Sequence, residues 1–88
     1  MPTFRFSLVA PERELYAGEV DQVDAPGAEG DFGVLAGHEP LMTTLRAGEV
    51  VVRAGGARRV FTVDGGFADI TPDSFTLLAD GAREAALQ

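Results

Sequence analysis

The chain has 88 residues, 45% of them hydrophobic and 24% charged, with no cysteine and a net charge of −7 from 14 acids against seven basic residues, all arginine. One folded domain follows, a monomeric unit of ordinary globular composition that removes about 60–65% of its unfolded surface from water. Lack of cysteine excludes disulfides, thiolate nucleophiles and cysteine-bound metals; the acidic balance argues against nucleic acid, which needs a concentrated basic face.

The amino terminus alternates apolar and polar residues without an uninterrupted apolar region, and no apolar run approaches the ~18 residues of a membrane span. A cytoplasmic location is expected, with membrane association only through a partner. Charge is distributed unevenly: residues 1–44 carry net −6 and residues 45–88 net −1. One face or end is therefore expected to be acidic, with a basic or neutral protein surface as its complement.

Phe4, Phe6, Leu8 and Ala10 share one parity and Thr3, Arg5 and Ser7 the other, the period of a strand with one buried face. Pro11 ends that strand, and Leu15-Tyr16-Ala17 begins a second that Gly18 interrupts. Parity slips between Val20 and Val23, which predicts a β-bulge near Asp21 or Gln22. Next comes an exceptional stretch: Gly27 to Pro40 gathers four glycines, three acids and the single histidine, and reads as a loop anchored by Phe32, Val34 and Leu35.

After Pro40, alternation returns in Leu41–Leu45 and again in Val50, Val52 and Ala54. Gly55-Gly56 predicts a two-residue hairpin turn, because glycine takes the positive φ that primed turns require. A return strand through Phe61 and Val63 follows. Asp64-Gly65-Gly66 reads as a second hairpin and Thr71-Pro72-Asp73-Ser74 as a third, before Phe75, Leu77 and Ala79. Phenylalanines 4, 6, 61, 67 and 75 are assigned to the core, while Arg58 and Arg59 project to opposite faces, one bridging to an acidic neighbour.

About eight to ten short strands with a turn every ten residues or so predict an all-β fold, a flattened antiparallel β-sandwich over residues 1–80. Residues 81–88 change composition to Ala-Arg-Glu-Ala-Ala-Leu-Gln after Gly81, good helix formers but only about two turns. They are expected to form a short helical tail or the beginning of a missing helical hairpin.

Little in the chain suggests chemistry. His38 beside Glu39, with Glu29 and Asp31 nearby, invites a metal or general-base reading but lacks the paired spacing of catalytic metal sites. Gly27, Gly30 and Gly33 do not form a dinucleotide fingerprint, and the intervening acids would repel phosphate. Ser7 and Ser74, the only serines, have no nucleophile-elbow context. No enzyme, cofactor or metal site is expected.

The run Glu29-Gly30-Asp31-Phe32-Gly33-Val34-Leu35-Ala36-Gly37-His38-Glu39-Pro40-Leu41, then Leu45-Arg46-Ala47-Gly48, Gly65-Gly66-Phe67 and Thr76-Leu77-Leu78-Ala79-Asp80, closely resembles the signature of the epsilon subunit of F-type ATP synthase, the delta subunit of mitochondria. The matches keep order and spacing from residue 3 to residue 80. That resemblance implies the amino-terminal β-sandwich domain of a non-catalytic central-stalk subunit, which packs against the gamma subunit, stands on the membrane ring of c subunits and couples rotation to ATP synthesis. It implies a peripheral place on the cytoplasmic face of a bacterial inner membrane, reached through the c ring, and a partner interface of Glu29, Gly30, Asp31, Phe32, His38 and Glu39. The loop matching Glu29, Gly30 and Asp31 faces the c ring, and the surface around His38 faces gamma.

Family members usually continue into a two-helix domain that inhibits hydrolysis or binds ATP. This chain stops at Gln88, where the first of those helices would begin, so neither property is expected of these residues. The competing readings are a free-standing small-molecule-binding or adaptor sandwich, which needs an apolar pocket with convergent polar groups, and a metal-dependent enzyme at His38.

Overall fold

The computed structural model describes residues 2–85, arranged as ten strands. In chain order they are β1 Phe4–Ala10, β2 Arg13–Val20, β3 Gln22–Gly27, β4 Gly30–Leu35, β5 Leu41–Leu45, β6 Gly48–Ala54, β7 Ala57–Val63, β8 Gly66–Thr71, β9 Ser74–Ala79 and β10 Ala82–Glu84. Hydrogen bonding joins them as β10-β7-β6-β3-β5-β8-β9-β1-β2, with β4 on the other edge of β3.

β3 is where the two layers of this sandwich meet. Its residues Gln22, Val23 and Asp24 pair with β6, whereas Gly27 pairs with Leu45 of β5. Between them lies Pro26, which has no N–H to donate, so the ladder divides where the sequence cannot continue it. One layer is therefore β10-β7-β6-β3-β4 and the other β5-β8-β9-β1-β2.

Alternating side chains from both layers fill the core: Phe4, Phe6, Leu8, Val20, Val23, Val34, Val50, Val52, Phe61, Val63, Ile70, Phe75 and Leu77 are buried. Aromatic pairs tie the layers together. Tyr16 of β2 meets Phe61 of β7 edge to face at 6.1 Å, and Phe32 of β4 stacks on Phe75 of β9 at 6.4 Å.

Several local expectations give way to tertiary pairing. Residues 27–35 are a hairpin, in which β4 pairs along the whole of β3 across the Ala28-Glu29 turn; the remainder, 36–40, lies outside the strands and opens with a second turn at Ala36-Gly37. Glycines at 30 and 33 concealed the inward alternation of Phe32 and Val34. Leu35 is no anchor, since it points outward and is 55% exposed. Gly18 does not interrupt β2, because it pairs with Phe6. The extra residue is Leu15, between the pairs Leu8–Tyr16 and Val9–Glu14; the slip at Asp21 is instead a corner, where Asp21 N–H donates to the Arg53 carbonyl at 2.8 Å and its carboxylate accepts Gly55 N–H at 2.9 Å.

Gly55-Gly56 turns the β6–β7 hairpin as predicted, with φ of 57° and 83°. Asp64-Gly65 does not make a hairpin, because β7 and β8 lie in different layers and the chain crosses between them. A second crossing at Asp80-Gly81 runs beside it, joined by Asp64 N–H to Gly81 carbonyl at 2.9 Å and Asp80 N–H to Gly65 carbonyl at 3.0 Å. The antiparallel pattern also has one exception: β1 and β9 pair in parallel.

Ala82–Glu84 is a strand and not the start of a helix; residues 86–88 of the expected helical tail lie outside the described residues. Helix propensity among such residues differs by only about 0.5 kcal/mol each, a local preference that the backbone pairing of β10 with β7 overrides. Arg59 donates from Nε and Nη2 to both oxygens of Glu84 at 2.8 Å each, while its guanidinium lies 5.1 Å from the Tyr16 ring and 5.3 Å from the Phe61 ring. Arg58 faces the opposite side, paired across the hairpin with Arg53.

The hydrogen bond from Arg59 holds the Glu84 carboxyl below the usual carboxylate range. A depressed folded-state pKa contributes stability that is present at neutral pH and lost as pH falls through that pKa, below the ordinary value of about 4.3. Glu84→Gln should therefore lower the melting temperature at pH 7, and the gap between the two proteins should close by about pH 2. Parallel melting temperatures across that range would remove this clamp from the acid response.

Candidate functional site

Two surfaces stand out, and they meet. The first is the β3–β4 tip. Ala28 and Glu29 form the turn, Glu29 and Gly30 are exposed, and Asp31 follows on the outward side of β4. Phe32 faces inward and is half-buried against the core, so it supports the tip more than it presents itself. Asp31 makes an ion pair with Arg46, at the corner between β5 and β6.

The backbone at that corner is locked. Ala28 N–H donates to the Thr44 carbonyl and Arg46 N–H to the Pro26 carbonyl, each at 3.0 Å. A cleft of about 360 Å³ runs from Glu29, Asp31 and Phe32 to Leu41, Met42 and Thr43. It is an open surface depression, as is a second hollow of about 330 Å³ lined by Asp24, Asp31, Arg46 and Glu49 among others. Neither is the apolar enclosure that small-molecule binding requires.

His38 and Glu39 lie at the far end of β4, beyond Leu35. Five residue steps of about 3.3 Å separate the ends of that strand, roughly 17 Å. The expected interface residues thus form two groups, Glu29, Gly30, Asp31 and Phe32 at one end and His38 and Glu39 at the other. His38 Nδ1 sits 2.6 Å from the Glu39 carbonyl oxygen, and the neighbouring Gly37 N–H donates to the Pro72 carbonyl at 2.8 Å. Its ring is occupied with its own loop. Among the described residues no group of three or more His, Asp or Glu could hold a metal ion.

The second surface is the outer face of β5, β8, β9 and β1. Cross-strand register places Thr44 beside Phe67, Phe67 beside Leu78, and Leu78 beside Val9. Met42 lies one row along, opposite Asp69. Met42 is 66% exposed and Leu78 51%, while Phe67 and Val9 are half-buried. Phe67 therefore belongs to this face and not to the core, because Ala68 on its other side takes the inward position.

Such a contiguous apolar strip costs solubility unless a partner covers it, which is why strips of this kind mark interaction sites. Sequence reasoning missed it. The signal was the pair Leu77-Leu78, since strict alternation must turn one of two adjacent leucines outward, and likewise Leu41-Met42. Met42 and Leu41 also line the tip cleft, so the strip and the acidic tip are continuous.

Among the described residues no helix is long and apolar enough to cross a membrane. Residues 3–85 match the family described as ATP synthase, Delta/Epsilon chain, beta-sandwich domain. The ATP synthase epsilon chain of Caulobacter vibrioides is 63% identical over 86 residues, covering 98% of this chain and 100% of that one. That of Rhodopseudomonas palustris strain BisB5 is 54% identical over 86 residues, covering 98% of this chain and 64% of that one. A chain of the Euglena gracilis mitochondrial ATP synthase, solved as OSCP/F1/c-ring, superposes with a TM-score of 0.88 at 25% identity, covering 96% of this chain and 55% of its own. One from the Tetrahymena thermophila central stalk and c ring has a TM-score of 0.77 at 14% identity, covering 93% of this chain and 66% of its own, a likeness of fold. Near-complete coverage by the family pattern, the 63% identical relative and the β-sandwich seen here agree: the chain belongs to the delta/epsilon chains of ATP synthase, as their β-sandwich domain.

Proposed function

We propose that the chain is a non-catalytic rotor subunit of a proton-translocating F-type ATP synthase, linking the gamma subunit to the c ring on the cytoplasmic face of a bacterial inner membrane. The observation that carries this reading is the pairing of two chemically different surfaces on one rigid body. The strip of Met42, Phe67, Leu78 and Val9 offers apolar area for a broad protein contact, as gamma would provide. The acidic tip offers a narrow, charged contact suited to basic groups on the polar loops of a ring.

Coupling then requires stiffness and no chemistry. Strand-to-strand hydrogen bonding links β10 to β2 through the shared β3, the core is filled, and the tip is tied back to the β5–β6 corner by two backbone hydrogen bonds. Torque applied at the tip reaches the strip without a hinge between them. The relatives support the same reading, since they are epsilon chains and a chain of an F1/c-ring assembly.

Co-purification tests the reading. Tagged chain mixed with gamma, and separately with detergent-solubilised c ring, should retain gamma at salt concentrations that strip the ring, because apolar contacts resist screening and charged ones do not. Failure to retain either partner would sink the proposal. Saturable binding of a small molecule in place of both would favour the free-standing sandwich.

A further inference from the structure

Two carboxylates stand at the β3–β4 tip, and the fold treats them differently. Asp31 is paired across β3–β4 with Pro26, and the carbonyl of that same Pro26 accepts the Arg46 N–H. Asp31 and Arg46 thus flank one buried proline from its two edges, and the guanidinium reaches across it to the carboxylate. Backbone hydrogen bonds at Ala28 and Arg46 hold both ends in reach before any partner arrives. Glu29, on the turn, makes no ion pair among the described residues and is exposed.

We propose that Arg46 is a positioning residue that neutralises Asp31 and pins β4 to the β5–β6 corner, so that Glu29 is the carboxylate which meets a basic group of the partner. This rests on the reading of the tip as a docking surface. An exposed ion pair adds little to stability because ordering two side chains offsets the attraction. Its consequence here is geometric: it fixes where the tip points and leaves Glu29 as the unpaired carboxylate of the turn among the described residues, beside a cleft to which Phe32, Leu41 and Met42 contribute apolar lining. A lysine or arginine of the partner fits such a site, its stem on the apolar floor and its charge on Glu29.

The test uses the full chain and the solubilised c ring, with affinity read by co-sedimentation and the fold by thermal melting. Glu29→Gln should weaken binding about ten-fold and flatten its salt dependence, and Asp31→Arg should weaken it by a similar factor. Restoring the pair in reverse, as Asp31→Arg with Arg46→Asp, should return affinity to within about three-fold of the natural chain, and adding Glu29→Gln to that swap should again cost about ten-fold. Asp31→Asn, the milder variant, should stay within about three-fold because an amide still accepts from Arg46. A swap as weak as Asp31→Arg alone, or Asp31→Asn as costly as Glu29→Gln, would overturn the division of roles by making Asp31 the contact. If neither Glu29→Gln nor Asp31→Arg alters binding, the docking reading of the tip fails and this inference falls with it.

Discussion

Gly66→Ala should unfold this domain more readily than any surface substitution. A Cβ at residue 66 would stand 2.2 Å from the Leu78 carbonyl oxygen and 2.9 Å from the Ala79 Cα, and the backbone there has φ of 154°. Residue 66 pairs with Ala79 on one side and Leu45 on the other, so the obstructing atoms are backbone of a central ladder that no rotamer change moves. Strain of about 1–3 kcal/mol from the dihedral alone adds to the displacement of β9, and a total loss of at least about 3 kcal/mol is expected. A domain of this length has only about 4–13 kcal/mol in hand.

In urea, with a slope of about 1 kcal/mol per molar, the midpoint should fall by about 3 M or the protein should fail to fold at all. Ala at Gly55, where φ is 57° but nothing lies within 4 Å, is the matched control; it should cost only about 1 kcal/mol. Equal midpoints for the two variants would mean that β8 and β9 are not held as closely as this register requires.

The double variant Met42→Glu, Leu78→Glu should lose gamma binding by at least about 100-fold while melting within a few degrees of the natural chain. Both side chains are more than half exposed, at 66% and 51%, so the free protein forfeits little on their replacement. In a complex the same residues would be desolvated. Removing two apolar anchors and burying two carboxylates costs at least about 2.7 kcal/mol of binding, the equivalent of that factor. Titration calorimetry against gamma measures it, and an affinity within three-fold of the natural chain would exclude this face as the contact. The single variant Leu78→Glu should fall between, since Leu78 sits beside both Phe67 and Val9 in the strip.

These expectations rest on features of unequal legibility. Strands with strict alternation were readable from residue type: Phe4, Phe6 and Leu8 are buried, as are Val50 and Val52, and Phe75 and Leu77. The hairpins at Gly55-Gly56 and Pro72-Asp73 were readable because their turn chemistry is local. The acidic tip was visible as a concentration of glycine and carboxylate, and the family resemblance located it on the β-sandwich of a stalk subunit.

What the residues could not disclose depends on neighbours distant in the chain. Asp64-Gly65-Gly66 has the composition of a hairpin, yet the partner of β8 is β9 on one edge and β5 on the other, a choice made by how two layers close around one core. Ala82–Glu84 is composed like a helix and pairs as a strand, because β7 offered a free edge and Arg59 a clamp. Asp31 and Glu29 are chemically alike and two residues apart; only the return of Arg46 beside Pro26, 15 residues beyond Asp31, makes one a tether and the other a free charge.

By itself, then, the sequence determined the fold class, most of the buried set and the existence of an acidic tip, because side-chain alternation and turn preference act over a few residues. Tertiary structure alone decided which apolar residues face outward as a strip, which edges pair, and which carboxylate remains unpaired. Those are properties of register between strands far apart in the chain, and a one-residue shift in register reverses every one of them.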